Sequence, residues 1–182
     1  MMQVLEQIQR DHRNMRLLLD IVEEEMDAYH EDRVPDFELL RSIAEYTLNY
    51  PDLVHHPKED LVFQRLVARD PAAKGVIGDL TQEHKRLADL TRRFAAAVAN
   101  AARDVEMPRE WLESLAKEYL SANLRHMQLE ETQFLPRAMA ALTDQDWAEV
   151  DAKAAGGNDP VFGEKVEKAY LAIYERIQKV RL

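Results

Sequence analysis

The chain has 182 residues, a formal net charge of −10 and no cysteine, with 46% apolar and 32% charged residues. That length suits one domain with a sizeable core, and the acidic balance, with no dense Lys/Arg block, argues against nucleic acid as a partner. No run approaches the roughly 18 apolar residues of a membrane span, no signal-peptide pattern opens the chain, and disulfides and thiolate ligands are excluded, so the expected setting is the cytoplasm.

Glycine is scarce, at five residues, and good helix formers dominate, so the expected class is all-α. A first helix is predicted over residues 4–29, ending before Val34-Pro35. A second covers 36–69, with a kink or break between Tyr50 and Pro57, because Pro51 and Pro57 lack the backbone donor that a helix interior needs. A third covers 74–103, and a fourth, opened by Pro108, runs to 141. Short connectors make these an up-down-up-down four-helix bundle, residues 1–141. The remainder, 142–182, reads as a helical extension. Thr143 caps a short helix ending near Ala155, and Gly156-Gly157-Asn158 breaks it. Asp159-Pro160 then opens a last helix to Leu182, striped by Val166, Tyr170, Ile173, Ile177 and Val180. That stripe is expected to lie on the bundle or to pair two copies as a homodimer.

The two halves repeat. Leu5, Ile8, His12, Met15, Leu19, Val22, Met26 and Tyr29 form one apolar seam; Ile77, Leu80, His84, Leu87, Thr91, Phe94, Val98 and Ala101 form the other. Steps of three and four place His12 and His84 where core leucines belong. The helix after each seam carries a His-x-x-x-Glu pair, His55/Glu59 and then His126/Glu130, and Phe63 matches Phe134. A duplicated hairpin folded about a pseudo-twofold axis brings these pairs together at its centre.

Taken singly, each piece has a plain reading: a satisfied core histidine, or a solvated His–Glu pair. Jointly they do not. Residues i and i+4 share a helix face, so four imidazoles and two carboxylates converge on one interior. No Lys or Arg lies on the seams to offset the acids; Lys58 stands off the face of Glu59. A metal supplies the missing charge. Two cations bridged by both carboxylates receive two nitrogens and two carboxylate oxygens each. An oxo or hydroxo bridge makes five donors and leaves an open position for a diatomic or peroxidic ligand. His56 neighbours His55 off its face and replaces it as ligand if Pro57 bends the chain. His30, near Glu31 and Asp32, reads as solvated, as does the run Glu23-Glu24-Glu25. Tyr46 and Tyr119 read as packing residues, and Asp60 and Glu131 as hydrogen-bond partners of the ligands.

At Asp11-His12-Arg13-Asn14-Met15, at the segment from Tyr50 through His55, His56 and Glu59 to Asp60, at Glu83-His84 and at Arg125-His126 through Glu130-Glu131, the chain resembles the hemerythrin-like (HHE cation-binding) family over about residues 1–141. The resemblance implies a non-haem, carboxylate-bridged di-iron centre, with iron preferred over manganese or zinc. It also implies one of several roles: oxygen carriage, sensing of oxygen, nitric oxide or iron, or repair of iron–sulfur centres. Two departures argue against reversible oxygen carriage. The carriers' fifth histidine, one turn from the third-helix ligand, is missing, since Leu80 and Ala88 flank His84 at that spacing. The last acid, Glu130, follows its histidine by four rather than by the carriers' five.

The expected function is therefore a di-iron protein that binds or senses a small oxidant (O2, NO or peroxide). The ligands would be His12, His55, Glu59, His84, His126 and Glu130. The alternatives are a di-iron enzyme acting on peroxide or NO, an iron donor in iron–sulfur cluster repair, and an interaction module that metal merely holds together.

Overall fold

Apolar stripes on four helical rods close on one interior. The computed structural model describes residues 2–31, 33–154 and 156–180; Asp32, Ala155, Leu182 and the Val180 side chain, named above, lie outside what is described. All regular elements among the described residues are helical. The first rod is α1 (Gln3–His30). The second joins α2 (Phe37–Asn49), a π-turn (Pro51–His55) and α3 (His56–Arg69). The third is α4 (Ala73–Ile77) followed by α5 (Leu80–Ala101). The fourth joins α6 (Arg109–Leu129), a second π-turn (Glu130–Phe134) and α7 (Leu135–Ala141). The extension holds α8 (Asp144–Lys153), a 3₁₀ turn (Lys168–Tyr170) and α9 (Leu171–Val180).

The core is split. One apolar cluster gathers Leu18, Val22, Leu40, Ile43, Phe94 and Leu112, and the other gathers Ile8, Val62, Phe63, Leu66, Leu80 and Phe134. Burying each such side chain contributes about 1.5–3 kcal/mol. On every rod the stretch between the two clusters carries the buried histidines and glutamates, so a polar layer is clamped between two apolar ones.

Two expectations need correction, and a third takes a particular form. The disturbance foreseen at Tyr50–Pro57 is a π-turn through which hydrogen bonding continues, with the His55 amide donating to the Tyr50 carbonyl and the His56 amide to that of Pro51. An interior proline clashes with the carbonyl four residues back, and a turn widened by one residue relieves that clash before Pro57. The same device precedes Pro136 in the fourth rod, where the Leu135 amide donates to the Glu130 carbonyl. The third helix is interrupted: Gly78 has φ +85°, and Asp79 restarts the helix by accepting from the Gln82 amide. The last helix starts late, at Leu171 rather than just after Pro160. There the Asp159 carboxylate instead accepts from the Val161 and Phe162 amides and from the Tyr46 hydroxyl, which holds residues 159–162 in a turn against α2.

The extension is tied to the bundle. Tyr170, Ile173 and Ile177 are buried and α9 packs on α2. Gly157, at φ +85°, presses on Val54 of the first π-turn; a Cβ there would stand 2.4 Å from Val54 Cγ1. Asp151 of α8 accepts from the Val4 amide at 2.8 Å and the Gln3 amide at 3.2 Å, satisfying donors that the start of α1 leaves free. Asp146 accepts from Arg69 Nε at 2.8 Å, forms an ion pair with Arg65, and completes a capping box with Thr143. Replacing Thr143 by alanine removes that cap. The expected loss is about 1 kcal/mol, or a melting midpoint lower by about 2–4 °C for a chain of this size, read by thermal circular dichroism.

Candidate metal centre

Each rod brings its polar residues to the centre by helical register. His12 comes from α1 and His84 from α5, each on its seam; His55 closes the first π-turn, Glu59 lies one turn into α3, His126 lies in the last turn of α6, and Glu130 opens the second π-turn. His12, His55, Glu59, His126 and Glu130 are at most 2% exposed and His84 is 5% exposed, so water cannot satisfy them. His12 Nε2 lies 3.1 Å from Glu59 Oε1 and 3.3 Å from Glu130 Oε2, linking both acids. His55 Nε2 stands 3.1 Å from Glu59 and His126 Nε2 3.1 Å from Glu130. His84 Nε2 faces both carboxylates, at 3.5 and 3.4 Å. All six residues named from the sequence meet in one place.

The opposite ring nitrogens face acids. Glu131 Oε1 is 3.2 Å from His12 Nδ1, and Glu131 Oε2 is held by Arg16 at 2.9 Å. Asp60 is 3.1 Å from His84 Nδ1, Asp11 is 3.2 Å from His55 Nδ1, and Glu83 is 3.8 Å from His126 Nδ1. The pattern is crosswise. Each acid following a core glutamate supports a seam histidine, and each acid preceding a seam histidine supports a histidine of a His-x-x-x-Glu pair. Acids within hydrogen-bond reach, as Glu131, Asp11 and Asp60 are, fix the tautomer and direct the other nitrogen inward, whereas His126 Nδ1 has no hydrogen-bond partner. Asp60 and Glu131 stand where the sequence expectation put them. Asp11 and Glu83 were not singled out for this role, although each sits directly before its seam histidine. Tyr50, also overlooked, accepts from Gln7 at 3.0 Å and donates to Asp11 at 3.2 Å.

His55 and His56 are both inside. His56 is 6% exposed and stacks on His84 with ring centroids 4.3 Å apart and planes 8° apart. The other residues weighed from the sequence stay outside the centre. The His30 side chain is 78% exposed, 3.4 Å from Glu113. Glu24 pairs with Arg176, and Glu25 accepts from the Asp36 amide. Tyr46 binds Asp159, and the Tyr119 hydroxyl lies 3.2 Å from Thr47 Oγ1.

Burial by itself lowers the proton affinity of a histidine. Hydrogen bonds to Glu130 and Glu59 and the charges of those acids override it at His12, raising the pKa to about 10. Hydrogen bonds to Asp60 and Glu130 raise His84 to about 9, and the charge of Glu130 raises His126 to about 10. His55 is raised as well, whereas burial holds His56 below its usual range. Burial pushes Glu59 and Glu130 up, but the surrounding histidines outweigh it and hold both acids well below the ordinary carboxylate range. Without a cation, protons on imidazole are what neutralise the two acids.

That compensation is incomplete. His55 Nε2, His126 Nε2, Glu59 Oε2 and Glu130 Oε2 are buried with no hydrogen-bond partner, a costly state in an interior. Two groups of donors lie within 4.8 Å of one another, His12 with His55 and Glu59, and His56 with Glu59, His84 and His126; Glu59 is common to both. Nitrogen and carboxylate donors free of thiolate suit iron, manganese or zinc. The residues fit a metal. The model of the hemerythrin HHE cation binding domain matches residues 3–138. The chain belongs to this family. No curated protein and no solved structure matched the chain. In this hemerythrin-like chain the centre sits within the matched span, while α8 and α9 lie beyond it. No described helix is long and apolar enough to cross a membrane.

The metal-free protein should show the proton dependence of this layer. His12, His84 and His126 bind protons more tightly in the fold than at their ordinary value of 6.5. Their contribution is therefore complete below that value and disappears as pH climbs through about 9 to 10. The acids act in the other direction, losing their contribution on acidification below the ordinary carboxylate range. Chelator-treated protein should melt at a lower temperature at the alkaline end of that window than near neutrality; a flat or rising midpoint would contradict the charge balance described.

Proposed function

We propose that this chain holds two iron ions at the centre and binds or senses a small oxidant: O2, NO or peroxide. His12 and His55 would hold one ion and His84 and His126 the other, with Glu59 and Glu130 between them. Bound there, an iron pair supplies redox capacity and Lewis acidity toward a diatomic or peroxidic ligand. The residues around it provide the rest. The outer carboxylates aim the imidazoles, and the two apolar clusters keep bulk water away.

The observation that carries this reading is a cavity of about 20 Å³ bordered by His55, His126 and Glu130 and walled by Met15, Leu18, Leu19 and Met127. Such a space takes about one water-sized molecule. It therefore favours a ligand of two or three atoms over any organic substrate. Thr47 and Tyr119 edge the cavity, and their hydroxyls are engaged with each other. The same reading treats residues 1–141 as the functional bundle and 142–182 as an extension bracing it, in a cytoplasmic setting. With Ile173 and Ile177 buried, pairing of two copies through α9 would use Leu171 and Tyr174, its exposed apolar residues.

Protein reconstituted anaerobically with ferrous iron should carry about two ions per chain and develop a visible absorption band on exposure to O2. A colourless protein with less than one ion per chain would refute the proposal. A stable adduct with NO or peroxide marks a sensor or carrier, and catalytic loss of either marks an enzyme. His84→Ala should lower the iron content by about one ion while the far-ultraviolet circular dichroism of the metal-free protein stays helical.

A further inference from the structure

Five of the six histidines are buried, and every one of the five turns Nδ1 toward a carboxylate. For His56 that acid is Asp52, at 3.2 Å, with its side chain only 7% exposed. At His12, His55, His84 and His126 as well, one ring nitrogen faces an acid at the edge of the layer and the other is turned toward Glu59 or Glu130. One donor atom of His56 lies within 4.8 Å of donors from Glu59, His84 and His126. Its ring stacks on His84 and meets His126 edge-on, with centroids 5.6 Å apart.

Two adjacent residues are buried at the same place in both arms, His55 and His56 in the first and His126 and Met127 in the second. The repeat gives the contrast. His126 is matched to His55, which puts Met127 where His56 stands and Asn123 where Asp52 stands. Both counterparts cannot serve as a carboxylate-supported imidazole. The pseudo-twofold centre is unequal at this one pair.

We propose that His56 is a fifth nitrogen ligand, so that one ion takes His56, His84 and His126 while the other takes only His12 and His55. The proposal rests on the two-ion reading above. It makes the ion beside His12 and His55 the position with fewer protein donors, and it places His56 on the wall of the cavity beside His55 and His126.

Mössbauer spectra of iron-loaded protein provide the test, together with iron analysis. Wild type should hold two ions per chain and give two distinct doublets of equal area. His56→Phe keeps the ring against His84 but removes the nitrogen; it should shift or abolish one doublet and leave the other unchanged. If His56→Phe retains two ions and both wild-type doublets, His56 only stacks and the proposal is overturned. Two indistinguishable ions in wild type would also overturn it while leaving the two-ion reading intact. Fewer than two ions in wild type would remove both. Should the phenylalanine variant lose its helical circular dichroism, His56→Gly decides. Free imidazole should restore the altered doublet, and a wild-type spectrum without imidazole would refute the assignment.

Discussion

Two carboxylates, Glu59 and Glu130, are completely buried in the middle of a helical bundle, and the rest of the architecture answers to that fact. An ionised acid removed from water costs several kcal/mol unless opposite charge is brought to it. Here the opposing charge comes from imidazoles on all four rods, oriented in turn by acids at the edge of the layer. Protons on those rings supply it without metal, and the unpartnered atoms of Glu59, Glu130, His55 and His126 show where that arrangement falls short. Cations accepted at those atoms would complete it and displace the protons, so metal binding and proton release are coupled.

Placing a polar layer inside a bundle divides the apolar core into two. Each half is then smaller, and the extension compensates at both. Trp147 and Val150 of α8 join the cluster containing Ile8 and Phe63, and Tyr170, Ile173 and Ile177 join the cluster containing Leu40 and Phe94. Asp146, Asp151 and Asp159 fix these attachments by hydrogen bonds to α3, α1 and α2 respectively. The segment beyond the family span thus closes the core at either side of the centre. Gly157 against Val54 extends that support to the turn that carries His55.

The two prolines that follow the π-turns stand at different points in the two arms. Pro57 lies within the first His-x-x-x-Glu pair, and its π-turn ends on the histidine. Pro136 lies beyond the second pair, and its π-turn begins on the glutamate. In both arms the residue after the histidine is buried, His56 in the first and Met127 in the second. The unequal donor count therefore comes from residue type at that position, while the widened turns set where each arm bends past its proline.

Much of this protein was legible in the sequence. The three-and-four spacing of Leu5, Ile8, His12 and Met15 requires a helical stripe, and a histidine on that stripe must enter the core, so the all-α class and the convergence of six donors follow from periodicity alone. The repeat made the meeting of the two His-x-x-x-Glu arms at one centre readable. Helix ends written in strong local signals, such as the Thr143 cap, were also readable. Other features depend on partners far away in the chain. Asp159-Pro160 looks like a helix start, but Asp159 is drawn to Tyr46 of another rod. Pro57 announces a disturbed helix without saying whether it breaks, kinks or widens; the packing of continuous rods selects the widened turn. The inward direction of His56 and the roles of Asp11, Asp52 and Glu83 were fixed only when four helices met, because spacing defines a face of one helix while the match between faces is a property of the assembled bundle.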